Sequence, residues 1–195
     1  MTENRRERIL SILLKEPLAR HTATSIANAL KITRQGTWKT LNKLAGDKLI
    51  SLESVGDSKT STTLVKLNWD NPLTEKTLSL VLTKESLKQQ RWRVNFEELG
   101  NAAKFLVLFG SVLSNPKEAN DIDILAVVSG KNFGKVENIT AKAQKTQIKK
   151  IHEIDITETE LKDELRKPNI AYLDALKKGI ILHGQDSFIQ FMRGI

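Results

Sequence analysis

The 195-residue chain has no cysteine, which excludes disulfides and thiolate metal sites alike. It has no continuously apolar run of about 18 residues, so nothing in it reads as a membrane-spanning helix. It has no internal repeat and no low-complexity tract. Prolines number four: Pro17 ends a helical pattern, Pro168 interrupts one, and Asn71-Pro72 breaks the chain ahead of another. The charged start, Glu3, Arg5, Arg6, Glu7 and Arg8, runs straight into periodic apolar positions. That is not the pattern of a secretory signal, and a cytoplasmic location is the expectation.

What is present is enough for one large domain or two small ones. Hydrophobic residues make up 39 % of the chain, the formal net charge is +8 and the sequence pI is about 9.6. A basic surface favours polyanionic partners through counterion release and steering.

The most informative stretch is Phe105-Leu-Val-Leu-Phe-Gly-Ser111, followed by Asp121-Ile-Asp-Ile-Leu-Ala-Val-Val128. It reads as a buried strand ending in Gly-Ser, then a second buried strand opening with two aspartates. Alternate strand residues point to one side, about 6–7 Å apart along the backbone, so Asp121 and Asp123 project together. Paired carboxylates suit hard cations, above all magnesium. Gly110 lets the chain approach a ligand closely, and the amides and hydroxyl around Ser111 suit phosphate oxygens. One histidine at a strand start, His152, reads as structural, and His183 has no partner at metal-ligand spacing.

Gly110-Ser111, the spacer and Asp121-x-Asp123 resemble the signature of the DNA polymerase beta-like nucleotidyltransferase superfamily, particularly its minimal stand-alone members. The resemblance covers roughly residues 100 to 184. It implies a third carboxylate on a later strand, matched by Asp155 in Ile151-His-Glu-Ile-Asp-Ile-Thr157, with Glu153 on the same face as the fallback. It departs from the family after Ser111, where Val112, Leu113, Ser114 and Asn115 replace the usual basic residue and glycine, and at Asn120, where a serine is usual. By this resemblance Asp121, Asp123 and Asp155 hold two magnesium ions, with manganese as the alternative. Gly110 and Ser111 hold a nucleoside triphosphate such as ATP, and its nucleoside monophosphate passes to a hydroxyl acceptor on a protein or nucleic acid. Minimal members are often antitoxins, which adds a toxin-like protein as a partner.

The amino-terminal third carries helical patterns over residues 4–15, 22–30 and from the N-cap Thr33 onward, with Trp38, Leu41, Leu44 and Ala45 as the inward stripe of the third helix. Two strands, 49–54 and 62–67, flank a polar turn and form a hairpin. This order resembles a winged helix-turn-helix domain over residues 4–69. The resemblance implies DNA binding through Arg34, Gln35, Lys39, Asn42 and Lys43 on the third helix and Lys59 at the hairpin tip. It also admits protein docking and a dimer.

The chain is therefore expected to be α+β. Residues 1–70 form the winged helix, 71–100 a connecting helix, and 101–195 a small nucleotidyltransferase-fold mixed sheet with flanking helices. Thr157 and Glu160 fit a capping box. Two functions follow: a nucleotidyltransferase coupled to a DNA-binding winged helix, or a DNA-binding, antitoxin-like regulator whose second domain is a nucleotide sensor or a degenerate scaffold. A structural adaptor is a third.

Overall fold

A computed structural model describes residues 4–56, 61–167 and 169–195. The fold is mixed α+β, and the chain divides into two compact units, residues 1–81 and 82–194. Each is described by itself. Among the described residues, no helix is long and apolar enough to cross a membrane.

The first unit opens with α1 (Arg5–Lys15), α2 (Ala23–Leu30) and α3 (Arg34–Gly46). Each starts at a side-chain cap. Asn4 accepts from the Arg6 amide, Thr22 and Ser25 form a reciprocal capping box, and the Thr33 hydroxyl accepts from the Gly36 amide. These caps satisfy amides that the helix itself leaves without partners. Between α2 and α3 the chain turns within three residues, with Lys31 in the left-handed region at φ 54°. Two antiparallel strands follow, β1 (Ile50–Val55) and β2 (Thr62–Leu67), in register from Ile50 opposite Leu67 to Val55 opposite Thr62. A bridge between Thr22 and Leu64, with the Val65 amide donating to the His21 carbonyl, pins the hairpin to the start of α2. The core is apolar: Ile9, Leu13, Ile26, Leu30, Leu41, Leu44 and Val65 are buried. On α3 the inward stripe differs from the expected one. Thr37 is fully buried and donates to the Thr33 carbonyl, while Trp38 is only half-buried. Positions 37, 41 and 44 lie three and four residues apart on one helical face, and Trp38 falls at its margin.

The expected connecting helix is three helices. α4 (Pro72–Leu87) begins with proline at its first position and the Asn71 side chain accepting from the Leu73 amide, as helix starts prefer. α5 (Gln90–Asn95) and α6 (Glu97–Ala102) follow with short breaks. The breaks let Trp92, Phe96, Leu99 and Ala102 all turn into the core of the second unit.

That unit continues with β3 (Phe105–Phe109), the single turn α7 (Ser111–Ser114), β4 (Asp121–Val127), α8 (Phe133–Gln144) and β5 (Lys150–Ile156). It closes with α9 (Glu158–Arg166), α10 (Ile170–Lys178), β6 (Ile180–His183) and α11 (Gln185–Arg193). The expected box at Thr157 and Glu160 caps α9 reciprocally. Pro168, expected as the interruption between α9 and α10, lies outside the described residues. The four strands pair in the order β5-β4-β3-β6, parallel between β4 and β5 and antiparallel elsewhere. Even-numbered residues of β4 and odd-numbered residues of β5 face α5, α6 and α8; Ile122, Ile124 and Ile151 belong to that core. The opposite face carries Phe105, whose ring meets Phe188 edge-on at 5.4 Å and Phe191 at 5.4 Å.

Phe105 therefore anchors the second face. Phe105→Ala should lower the stability of the second unit by about 3–5 kcal/mol, as emptying a fully packed aromatic site does. Urea unfolding followed by circular dichroism measures it; a loss under about 1 kcal/mol would mean that the site collapses around the smaller side chain.

Candidate functional site

The site is assembled at the start of β4. Asp121 and Asp123 share one face of the strand, half-buried, with side chains 32 % and 24 % exposed. The expectation that they project together holds in the geometry. Gly110 ends β3 directly beside them. Its φ of 80° lies in the region that glycine adopts freely. A Cβ there would stand 2.0 Å from Asp123 Oδ2, so this position admits only glycine unless Asp123 moves. Ser111 is exposed and begins α7. Beside this turn runs a largely apolar groove of about 550 Å³, lined by Phe109, Gly110, Ser111, Leu113, Ala175 and Lys178 among others.

The third member is not the expected one. In the parallel pair, Asp123 is in register with His152, and Ala126 with Asp155. Side chains in register point to the same face. His152 therefore joins the aspartates, its Nδ1 3.2 Å from Asp121 Oδ2 and 3.7 Å from Asp123 Oδ1. Glu153 and Asp155 point to the other face, towards Thr140 and Glu137 of α8. The assignment of Asp155 to the Asp121–Asp123 site is thus corrected, and Glu153 fails with it for the same reason. Among the described residues, the group of three or more His, Asp and Glu side chains at metal-ligand spacing is Asp121, Asp123 and His152. Its donors are two carboxylates and an imidazole. The three-carboxylate set that the resemblance implies for two magnesium ions is therefore not assembled here, an imidazole standing beside the two carboxylates.

The register that decides this is held at the start of β5. The Gln144 side chain at the end of α8 accepts from the Ile151 amide at 2.7 Å and donates to the Lys149 carbonyl at 3.0 Å. Lys149 donates to the carbonyl of Ala119, tying the start of β5 to the loop that leads into Asp121. Burial raises the Asp123 carboxyl above its ordinary range, Asp121 adds to the rise, and His152 opposes both.

On the far face, burial pushes Glu153 up to about 7. The nearby Thr140 hydroxyl opposes the rise without reaching hydrogen-bond geometry, and Asp155 and Glu137 add to it. Asp155 is raised as well, first by burial, against its contact with Glu153. Glu153 Oε1, Asp155 Oδ1 and Thr140 Oγ1 are buried without a hydrogen-bond partner. Two ionised carboxylates so placed are costly, and one proton between them relieves the cost.

A second surface lies on α3 in the first unit. Arg34, Gln35, Lys39, Asn42 and Lys43 are all exposed, as expected. At about 100° per residue, Gln35, Lys39, Asn42 and Lys43 fall within an arc of roughly 100° opposite the buried stripe. Arg34 stands at the flank of that arc, at the first helical position. Lys59, expected at the hairpin tip, lies outside the described residues.

Because Glu153 binds its proton more tightly folded than at its ordinary 4.5, the folded state holds more protons between about pH 4.5 and 7, and stability falls as pH rises through that window. Glu153→Gln should remove this slope and make the protein more stable than the parent at pH 8. Denaturant midpoints at pH 5 and pH 8 for both proteins measure it; parallel slopes would show that the carboxyl is not strained.

No family model and no curated protein matches the chain. Among solved structures the chain is similar to the adhesin competence repressor AdcR from Streptococcus pyogenes, at 17 % identity and a TM-score of 0.36, over 74 % of this chain and 82 % of that one. A likeness at that level carries no argument about this chain.

Proposed function

We propose that this protein is a DNA-binding regulator whose second unit is a nucleotide-binding module on a nucleotidyltransferase-like sheet, responding to a nucleoside triphosphate and a divalent cation. The first unit binds duplex DNA with α3 in the major groove. The observation that favours regulation over catalysis is the imidazole of His152 where the resemblance calls for a third carboxylate. The ligand set for two-metal phosphoryl transfer is then incomplete, while a site for one cation beside a phosphate-sized turn is retained. The groove next to Gly110 and Ser111 is within the usual volume range of small-molecule sites, and its apolar lining suits a nucleoside.

DNA binding rests on the polar arc of α3. Arginine, glutamine and asparagine are the side chains that read base edges, and lysine meets phosphate. Residues 1–81 carry thirteen Lys and Arg against eight Asp and Glu, which adds a non-specific electrostatic pull. The second reading is nucleotidyl transfer to a hydroxyl on a protein, a toxin-like partner or an RNA end. It is favoured by Asp121 and Asp123 side by side across from Gly110.

In a mobility-shift titration of the full chain, Lys39→Ala with Lys43→Ala should weaken all duplexes alike and reduce the salt slope by about two, one per lost phosphate contact. Arg34→Ala or Gln35→Ala should cost roughly 1–3 kcal/mol on the preferred site alone. If no duplex shifts at low salt, the first unit is a protein-docking module instead.

Asp121→Asn with Asp123→Asn should abolish cation-dependent binding of a non-hydrolysable triphosphate, with the fold intact by circular dichroism. Undiminished binding in that double variant would move the nucleotide site elsewhere. Incubating the parent with each labelled triphosphate, manganese or magnesium, and cell extract separates the two readings. Label carried onto an acceptor, and lost with the same variant, makes the protein a transferase.

A further inference from the structure

We infer that Asp121, Asp123 and His152 form a three-ligand site for one late first-row divalent cation of the zinc type, and that His152 is the residue selecting it over magnesium. The inference rests on the cation site in the reading above and names the ion it takes. It stands on donor chemistry and spacing. Carboxylates serve either ion, but an imidazole nitrogen is a poor ligand for magnesium and a good one for zinc and its neighbours. Three donors each about 2.1 Å from a common ion lie about 3.0 Å apart when cis in an octahedron and about 3.4 Å apart in a tetrahedron. The imidazole-to-carboxylate separations, 3.2 and 3.7 Å, bracket the tetrahedral value, and all three donors lie within 4.8 Å of one another. The closing movement falls to side chains with room to make it, since His152 is 47 % exposed.

The backbone around the set is held fixed. β4 and β5 pair in register from Asp121 to Val127, and the Gln144 contacts hold the start of β5 against α8. Gly110 keeps the space beside Asp123 clear on one side. Three protein ligands leave at least one coordination position open, as in sites that also bind an exchangeable ligand. The competing account is that His152 simply forms an ion pair with the two carboxylates and no ion enters.

The test uses the full chain and metal alone, without nucleotide. Calorimetric competition against a chromophoric chelator should give one zinc ion per chain, bound on the order of 100-fold more tightly than magnesium, as expected when one ligand is nitrogen. His152→Ala should weaken zinc at least as much as losing a supporting partner of a ligand does, roughly 10–100-fold, and leave magnesium unchanged. His152→Asp should narrow the preference, by exchanging the nitrogen donor for an oxygen donor that serves magnesium as well. Cobalt added in place of zinc should give a visible absorption band that is lost in His152→Ala. The inference is overturned if zinc fails to bind, or if it binds equally well to His152→Ala. Magnesium with a non-hydrolysable triphosphate binding where zinc alone does not would also overturn it, while sparing the nucleotide reading. Zinc held through His152 with no nucleotide bound would uphold it and remove that reading.

Discussion

In a parallel strand pair, residues in register point to the same face, so a single offset assigns every side chain of β5 to one side of the sheet or the other. Here the offset sets Asp123 opposite His152. Slipping it by one would exchange the imidazole for Glu153 and send His152 into the helices on the far face. The start of the strand opposes such a slip. The Gln144 side chain accepts from the Ile151 amide and donates to the Lys149 carbonyl just before β5, and the Lys149 ammonium is fastened to the loop before Asp121. Along the strand, Ile151 is committed to the core with Ile122 and Val136. The chemistry of the site is therefore a consequence of how α8 ends.

The same offset accounts for the odd feature of the far face. Glu153 and Asp155 are directed at α8, where burial raises both carboxyls and Glu137 adds repulsion. The cost of that arrangement grows once Glu153 loses its proton. It is tolerated because β5 lies at the edge of the sheet, where water reaches part of the pair. The two sides of β5 thus carry different titratable groups: the exposed side has His152 beside the aspartates, and the covered side has Glu153 and Asp155.

The first unit follows a simpler rule. Its helices are capped, its core is apolar, and the outward arc of α3 is exposed to solvent. Leu41 and Leu44 are fully buried in α3, so the polar arc is carried on a helix whose other side cannot rotate. Arg34 differs, standing exposed at the first helical position outside the arc.

Much of this was legible from residue order alone. Capped helix starts, the hairpin, the Gly110–Ser111 turn and the alternate aspartates each follow from short-range rules, and each stands within a residue or two of its expected place. The breaks at Lys88–Gln89 and Phe96 were not legible, because neither carries glycine or proline; tertiary packing of Trp92, Phe96 and Leu99 imposes them. The third ligand failed for a different reason. Alternation reveals which residues of a strand share a face, but which face it is depends on the partner strand. The usual guide, apolar inward and polar outward, points the wrong way in β5: Ile154 is 38 % exposed, while Glu153 and Asp155 are directed at a helix. The signal that was present is Ile151, which breaks the alternation. A strand with isoleucine in both phases has no single apolar face, so its polar residues divide between the faces as well. Read that way, Ile151 ties Glu153 and Asp155 to the side of Ile122, and leaves His152 as the residue able to meet the aspartates.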